Sequence, residues 1–140
     1  MIVLDTNVLS ETLRPQPAAK VLDWLNAQQA ETLFITSVTV AEMMFGIAVL
    51  PEGRRKSMLT LAVEELLTLF RGRILPFDTE AACHHAELAV KARLIGRGFP
   101  PPDGYIAAIA AARGYAIASR DTAPYEAAGL KVMDPWLWSA

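Results

Sequence analysis

Short apolar runs, each followed by a longer helical stretch, are the feature that most constrains the fold of this chain. Such runs predict buried strands, and parallel strands joined through a helix need a crossover connection. The sheet is therefore predicted to be mainly parallel, with helices on both faces. Five short strands are expected, at residues 2–5, 33–36, 73–77, 116–119 and 131–133.

Helices are predicted between these strands, where apolar residues recur at three- and four-residue steps. Thr6 and Asn7 are expected to cap the first helix, and Ser37 or Thr39 is expected to cap a later helix that runs to about residue 50. The other helices are expected at about residues 18–29, 54–70, 79–95 and 103–113.

Length and composition predict one compact domain over residues 1–140. Hydrophobic residues make up 53% of the 140 positions, which excludes a disordered chain. The single cysteine, Cys83, argues against a disulfide framework and is typical of a protein in a reducing cytosol. No apolar run reaches the roughly 18 residues of a membrane span. A cytoplasmic domain without membrane contact is expected.

Four carboxylates, Asp5, Glu42, Asp103 and Asp121, occupy positions where a parallel sheet collects ligands. Asp5 and Asp121 end strands, and Glu42 and Asp103 are expected in the first turns of helices. Prolines 100–102 are expected to form a stiff loop before Asp103, and the helix N-terminus there favours its ionised form. Four acids brought together need cations between them, and Mg²⁺ and Mn²⁺ prefer oxygen ligands.

Polar neighbours of these acids have two interpretations each. Thr6, Asn7, Thr39 and Thr122 are expected either to orient carboxylates and metal-bound water or to cap helices. Arg120 is expected either to contact a substrate phosphate or to face solvent beside a turn. Each acid, taken alone, is also explained as a cap or a solvated residue, so the four together carry the hypothesis.

The net charge of −2 is not typical of a protein that holds nucleic acid by bulk electrostatics. Two bound divalent ions would add about four positive charges at the acidic cleft and reverse the local field. The charge therefore weighs only weakly against a protein that acts on nucleic acid.

Six stretches, in the same order and across essentially the whole chain, resemble the PIN-domain ribonucleases. Within that family they resemble the VapC-type toxins of toxin–antitoxin pairs, in the FitB-like branch. The stretches are residues 3–11 (VLDTNVLSE), 39–42 (TVAE), 73–78 (RILPFD), 103–108 (DGYIAA), 119–122 (SRDT) and 134–136 (DPW). The resemblance implies a PIN-like three-layer α/β/α sandwich with a mainly parallel five-stranded sheet.

The resemblance also implies the chemistry: a toxin that is a metal-dependent endoribonuclease and hydrolyses RNA phosphodiesters with Mg²⁺-activated water, Mn²⁺ substituting. The family's catalytic and metal-binding quartet falls on Asp5, Glu42, Asp103 and Asp121, the first three of which would hold a first ion. One position departs from the family pattern, because Pro102 stands where a small residue usually precedes the third acid.

The partners that the resemblance implies are an RNA substrate, a second copy in a homodimer, and a small antitoxin whose C-terminal segment covers the acidic cleft. A surplus of apolar residues, beyond what one helix face can bury, is expected either to pack in the core or to form the contact surface for the second copy or the antitoxin. These residues are Met43, Met44, Phe45, Val49, Met58 and Leu61.

Three alternatives stand beside the nuclease. A haloacid-dehalogenase-like phosphatase requires a second aspartate two residues after Asp5, where this chain has Asn7. A receiver domain requires an acidic pair after the first strand, and Asp5 stands alone. A catalytically silent PIN-like module, which mainly binds its antitoxin or an RNA partner, would be marked by loss of an acid, and all four are present.

Overall fold

Five short strands and seven α-helices make up the protein, and the computed structural model describes all of residues 1–140. The strands are β1 (Ile2–Leu4), β2 (Leu33–Thr36), β3 (Ile74–Leu75), β4 (Ala116–Ala118) and β5 (Val132–Met133). The helices are α1 (Thr6–Thr12), α2 (Ala19–Asn26), α3 (Ser37–Ala48), α4 (Arg54–Leu69), α5 (Thr79–Leu94), α6 (Pro101–Arg113) and α7 (Ala123–Ala127).

The strands form one sheet in the order β3-β2-β1-β4-β5, and every neighbouring pair is parallel. Val3 on the central strand lies opposite Phe34 on β2 and Ile117 on β4. The chain builds the sheet outward from β1 in one direction and then returns to its other side with β4. Strand order therefore reverses beside β1, the position where open α/β sheets bind ligands. The predicted parallel five-stranded sheet is confirmed.

Two apolar layers cover the sheet, one on each face. Successive strand residues point to opposite faces, so Val3 and Leu4 enter different layers, and both are fully buried. The first layer takes its side chains mainly from α5 and α6, and the second takes them from α1 to α4. Full burial of one such aliphatic side chain contributes about 1.5–3 kcal/mol. The three-layer α/β/α sandwich is confirmed.

Two helices begin on caps other than those predicted, because each follows its strand with almost no loop. The cap of α1 is Asp5, whose carboxylate accepts a hydrogen bond from the backbone of Thr6, so the helix starts at Thr6 rather than after Thr6 and Asn7. The cap of α3 is Thr36, the last residue of β2, whose hydroxyl accepts from the backbone of Thr39. The predicted cap at Ser37 or Thr39 is therefore wrong.

Helix α6 also starts earlier than predicted. Pro101 and Pro102 lie inside its first turn, where backbone amides have no partner within the helix and proline's missing N–H costs nothing. The predicted proline loop up to residue 102 is wrong, and Asp103 is the third residue of the helix. Gly114, at φ 70°, ends α6 in the left-handed conformation that glycine adopts without strain.

The apolar residues of α3 and α4 divide between core and surface. Met43 is buried, whereas the side chains here named the exposed apolar band are between 43% and 68% exposed. The band consists of Met44, Phe45, Val49, Met58 and Leu61.

No helix in the structure combines the length and the apolar character needed to cross a membrane.

Candidate active site

Asp5 lies at the carboxyl end of the central strand and is 4% exposed. Its Oδ1 accepts a hydrogen bond from the backbone N–H of Thr6 at 2.7 Å. Its Oδ2 accepts two, from the Ser119 hydroxyl at 2.7 Å and the Tyr125 hydroxyl at 2.9 Å. Three donors offset the cost of burying a carboxylate. They also leave Oδ1 as the oxygen with acceptor capacity to spare.

Ser119, which follows β4, ties this aspartate to the neighbouring strand end. Its one hydroxyl hydrogen points to Asp5, and its oxygen accepts from the Asn7 amide and from the backbone N–H of Asp121, both at 3.1 Å. The Asn7 Oδ1 in turn accepts from the backbone N–H of Arg120 at 3.3 Å. These bonds join the ends of β1 and β4, and they hold the first and fourth predicted acids on one edge of the sheet.

A chain of hydrogen-bonded threonine hydroxyls runs from the buried end of β2 to the carboxylate of Glu42. The Thr6 hydroxyl donates to Oε1 of Glu42 at 2.8 Å and lies 2.9 Å from the Thr39 hydroxyl. Since Thr6 has only one hydroxyl hydrogen, Thr39 is the donor between them, and the Thr36 hydroxyl donates to Thr39 at 3.4 Å. Because α3 begins at Ser37, Glu42 lies in the second turn rather than the predicted first.

Asp103 is half-buried, and its pKa is raised to about 6. Burial is the largest cause, followed by the negative charges of Asp5, Asp121 and Glu42. The nearby Tyr125 hydroxyl opposes the shift, although its hydrogen bond is made to Asp5. The helix N-terminus was expected to favour the ionised form, and burial and like charge outweigh it. The charges of the other three predicted acids therefore all act on Asp103 at this edge of the sheet, which is called the acid cleft below.

The five other predicted site residues have different surroundings. Thr6, Asn7 and Thr39 all join the hydrogen bonds around the acid cleft. Thr122 precedes α7 but provides no side-chain cap. The guanidinium of Arg120 lies over the Trp136 ring at 5.1 Å from its centroid, a cation–π contact, and its charge acts on Glu11.

Tyr125 and Ser119 were missed as site residues by sequence reasoning. Tyr125 lies in the five-residue helix α7, which is too short to show a helical period and was not predicted. Its phenol is fully buried, and burial raises its pKa above the ordinary value, with the Asp5 and Asp103 charges adding to the shift. The group therefore stays a neutral donor. The available signal was chemical, since a buried tyrosine hydroxyl usually has a hydrogen-bond partner.

The donor set suits a hard divalent cation. No three His, Cys, Asp or Glu side chains form a ready-made metal-binding group in this structure. The acids of the cleft nevertheless offer oxygens only, with acceptor capacity left on Asp5 and on Glu42. A cation among them would also relieve the repulsion that raises the pKa of Asp103. The chemistry of the donor set therefore fits a hard divalent cation.

The parallel sheet and the acid cleft at the end of its central strand agree with the PIN-like fold and acidic site that the resemblance implies. The comparison with known families leads to the same class of protein. The PIN domain family matches residues 2–130. The chain belongs to the PIN domain family, as its resemblance predicted.

Named relatives match over nearly the full chain. The VapC ribonuclease Y4jK of Sinorhizobium fredii is 47% identical, over 97% of this chain and 98% of its own. Toxin FitB of Neisseria gonorrhoeae is 43% identical, over 97% and 99%. The crystal structure of FitAcB from Neisseria gonorrhoeae superposes with a TM-score of 0.94 at 42% identity, covering 99% of this chain and 100% of that one.

Proposed function

We propose that this protein is a divalent-metal-dependent endoribonuclease that acts as the toxin of a toxin–antitoxin pair. The observation that carries the proposal is the acid cleft itself. A buried aspartate ends the central strand, and burial, followed by the negative charges of Asp5, Asp121 and Glu42, raises the pKa of Asp103 to about 6. The similarity to a VapC ribonuclease and to toxin FitB supports RNA as the substrate and a toxin's role.

Within this proposal each acid has a role. Asp5, Glu42 and Asp103 would hold a first Mg²⁺ or Mn²⁺, and Asp121 with Asp5 would hold a second ion or an ordered water. When bound, the metal supplies a nucleophile from water at neutral pH and stabilises charge on the phosphate oxygens. Ser119 and the threonine hydroxyls keep the carboxylates of Asp5 and Glu42 aimed into the cleft.

Two protein partners belong to the same proposal. A toxin made by its own cell needs neutralising, and an antitoxin arginine entering the acid cleft would make charge-assisted hydrogen bonds with several carboxylates. The exposed apolar band on α3 and α4 is proposed as the surface for a second copy or for the antitoxin. The similarity to the FitAcB structure supports control by a partner chain.

The test is cleavage of a mixed cellular RNA pool by the purified, partner-free protein, with Mg²⁺, with Mn²⁺ and with EDTA. Asp5→Asn should keep the fold and lose cleavage by more than about 100-fold, since even residues that only support metal ligands contribute about 10- to 100-fold. Asp23→Asn is the matched control, because Asp23 is an exposed acid on α2.

Two results would contradict the nuclease proposal: cleavage that survives EDTA, or an Asp5→Asn protein that cuts as well as the wild type. A third result would favour the catalytically silent module. In that case the folded wild type would bind Mn²⁺ and RNA and leave a full range of cellular RNAs intact.

A further inference from the structure

The Tyr125 hydroxyl is one of two side-chain donors to Asp5, and both donors come from fully buried residues. The tyrosine is fully buried in the α5–α6 layer, and its ring meets Phe99 edge-on, with 6.2 Å between the ring centroids. Its position is therefore set by core packing rather than by the carboxylate. A hydroxyl on such a ring is a rigidly held donor that can fix the orientation of a carboxylate.

The hydrogen bonds at Asp5 distinguish its two oxygens. Oδ2 accepts from both Tyr125 and Ser119, which uses both of its lone-pair directions. Oδ1 accepts only the backbone N–H of Thr6, so one direction remains. With either hydroxyl removed, Oδ2 would regain a free direction, and the carboxylate could turn about its terminal torsion, which is broad for aspartate.

We propose that Tyr125 is a positioning residue that, together with Ser119, holds Asp5 so that Oδ1 alone faces a divalent cation in the acid cleft. The inference rests on the proposed function, because it assumes that the cleft binds such an ion. Tyr125 itself touches neither the ion nor the substrate in this proposal. It acts through Asp5, by keeping one oxygen occupied and the other directed at the cleft.

Ser119 cannot hold the carboxylate in the same way by itself. Its hydroxyl also accepts from Asn7 and from the backbone of Asp121, so its own position depends on the end of β4 and the start of α1. Tyr125 approaches the same oxygen from α7, a third element of the fold. Two donors from separate elements fix the orientation of a carboxylate where one would leave a rotation free.

The experiment is calorimetric titration of Mn²⁺ into the metal-free, full-length protein, with thermal melts of the same samples. Tyr125→Phe keeps the ring and removes only the hydroxyl, and its dissociation constant for Mn²⁺ should rise by about tenfold or more. Tyr115→Phe is the matched control. Tyr115 packs against Phe34 with 5.0 Å between the ring centroids, outside the hydrogen bonds around Asp5, and its variant should bind as the wild type does.

The outcomes separate the two proposals. A wild type that binds no Mn²⁺ would overturn the proposed function, on which this inference rests. A wild type that binds Mn²⁺, beside a folded Tyr125→Phe protein with a dissociation constant within twofold of it, would overturn the positioning role alone. Equal weakening in Tyr115→Phe would do the same. If Tyr125→Phe fails to fold, Ser119→Ala removes the other donor to Oδ2, and unchanged Mn²⁺ affinity there would overturn the proposal.

Discussion

The two ends of helix α1 hold carboxylates in opposite environments. Asp5, at its start, belongs to the acid cleft, where acids face one another and the pKa of Asp103 is raised to about 6. Glu11, near its end, accepts from the backbone N–H of Ala18 at 2.8 Å and pairs with Arg14 at 3.2 Å. Those partners, the Ala18 hydrogen bond foremost, lower the pKa of Glu11.

The difference separates an acid that stabilises the fold from the acids that are proposed to bind a metal ion. The partners of Glu11 come from the protein itself. Its carboxylate accepts from the backbone N–H of Ala18, between α1 and α2, and from the guanidinium of Arg14. In the acid cleft the side-chain donors to the carboxylates are hydroxyls, which carry no positive charge. The charged groups that act on Asp103 there are other carboxylates. Such a cluster is stabilised by a cation from outside, so it is expected to cost the metal-free protein stability.

The largest expected effect is on cleavage. Glu42→Gln should lower RNA cleavage by more than about 100-fold, because an amide is a poorer ligand for a hard cation, while the fold persists because the amide oxygen can still accept from Thr6. Glu64→Gln, at an exposed position on α4, is the control for cleavage rates measured side by side. Similar losses in both variants would remove Glu42 from the proposed chemistry.

The second effect combines lost activity with gained stability. Asp103→Asn should abolish cleavage yet raise the melting temperature of the metal-free protein at pH 8, because it removes a charge that burial and three acids disfavour. The gain is expected to be on the order of 1 kcal/mol, since Asp103 is half-exposed and solvent screens part of the repulsion. A lower melting temperature would show that the acid cleft is not strained by its own charge.

The pH dependence of the metal-free protein sharpens the same point. The folded pKa of Asp103, about 6, lies above the ordinary value of 3.8, so the folded state binds the proton more tightly than the unfolded chain. This contribution to stability is fully present below about pH 4 and is lost as the pH rises through 6. Urea unfolding of wild type and Asp103→Asn between pH 4 and 8 should show a difference that grows with pH. A difference that stays constant would exclude the shift.

Glu11→Gln should give the smallest effect, with the opposite sign. The lowered pKa of Glu11 means that its contribution to stability is present above its ordinary value of 4.5 and is lost as the pH falls through the folded pKa. Thermal melts at pH 7 should show a slightly less stable variant, and the gap should close in strong acid. Cleavage should be unchanged, and a loss of cleavage would contradict the contrast between the two ends of α1.

The sequence predicted the parallel sheet because short apolar runs and helical spacing are local patterns. A cap at Asp5 was only one of two interpretations, and a cap at Thr36 was not predicted, because both depend on strands running directly into helices. The placement of Tyr125 could not be predicted either. Its helix is too short to show a helical period, and its hydrogen-bond partner, Asp5, lies far away in sequence. The direction of the pKa shift at Asp103 required burial, which sequence spacing does not show.

The most direct test of the acid cleft as a metal centre is a crystal of this protein soaked in Mn²⁺, with anomalous diffraction recorded near the manganese edge. The predicted result is one or two anomalous peaks among Asp5, Glu42, Asp103 and Asp121, with Oδ1 of Asp5 as a ligand. Manganese bound elsewhere, with no peak between these four carboxylates at saturating Mn²⁺, would contradict it.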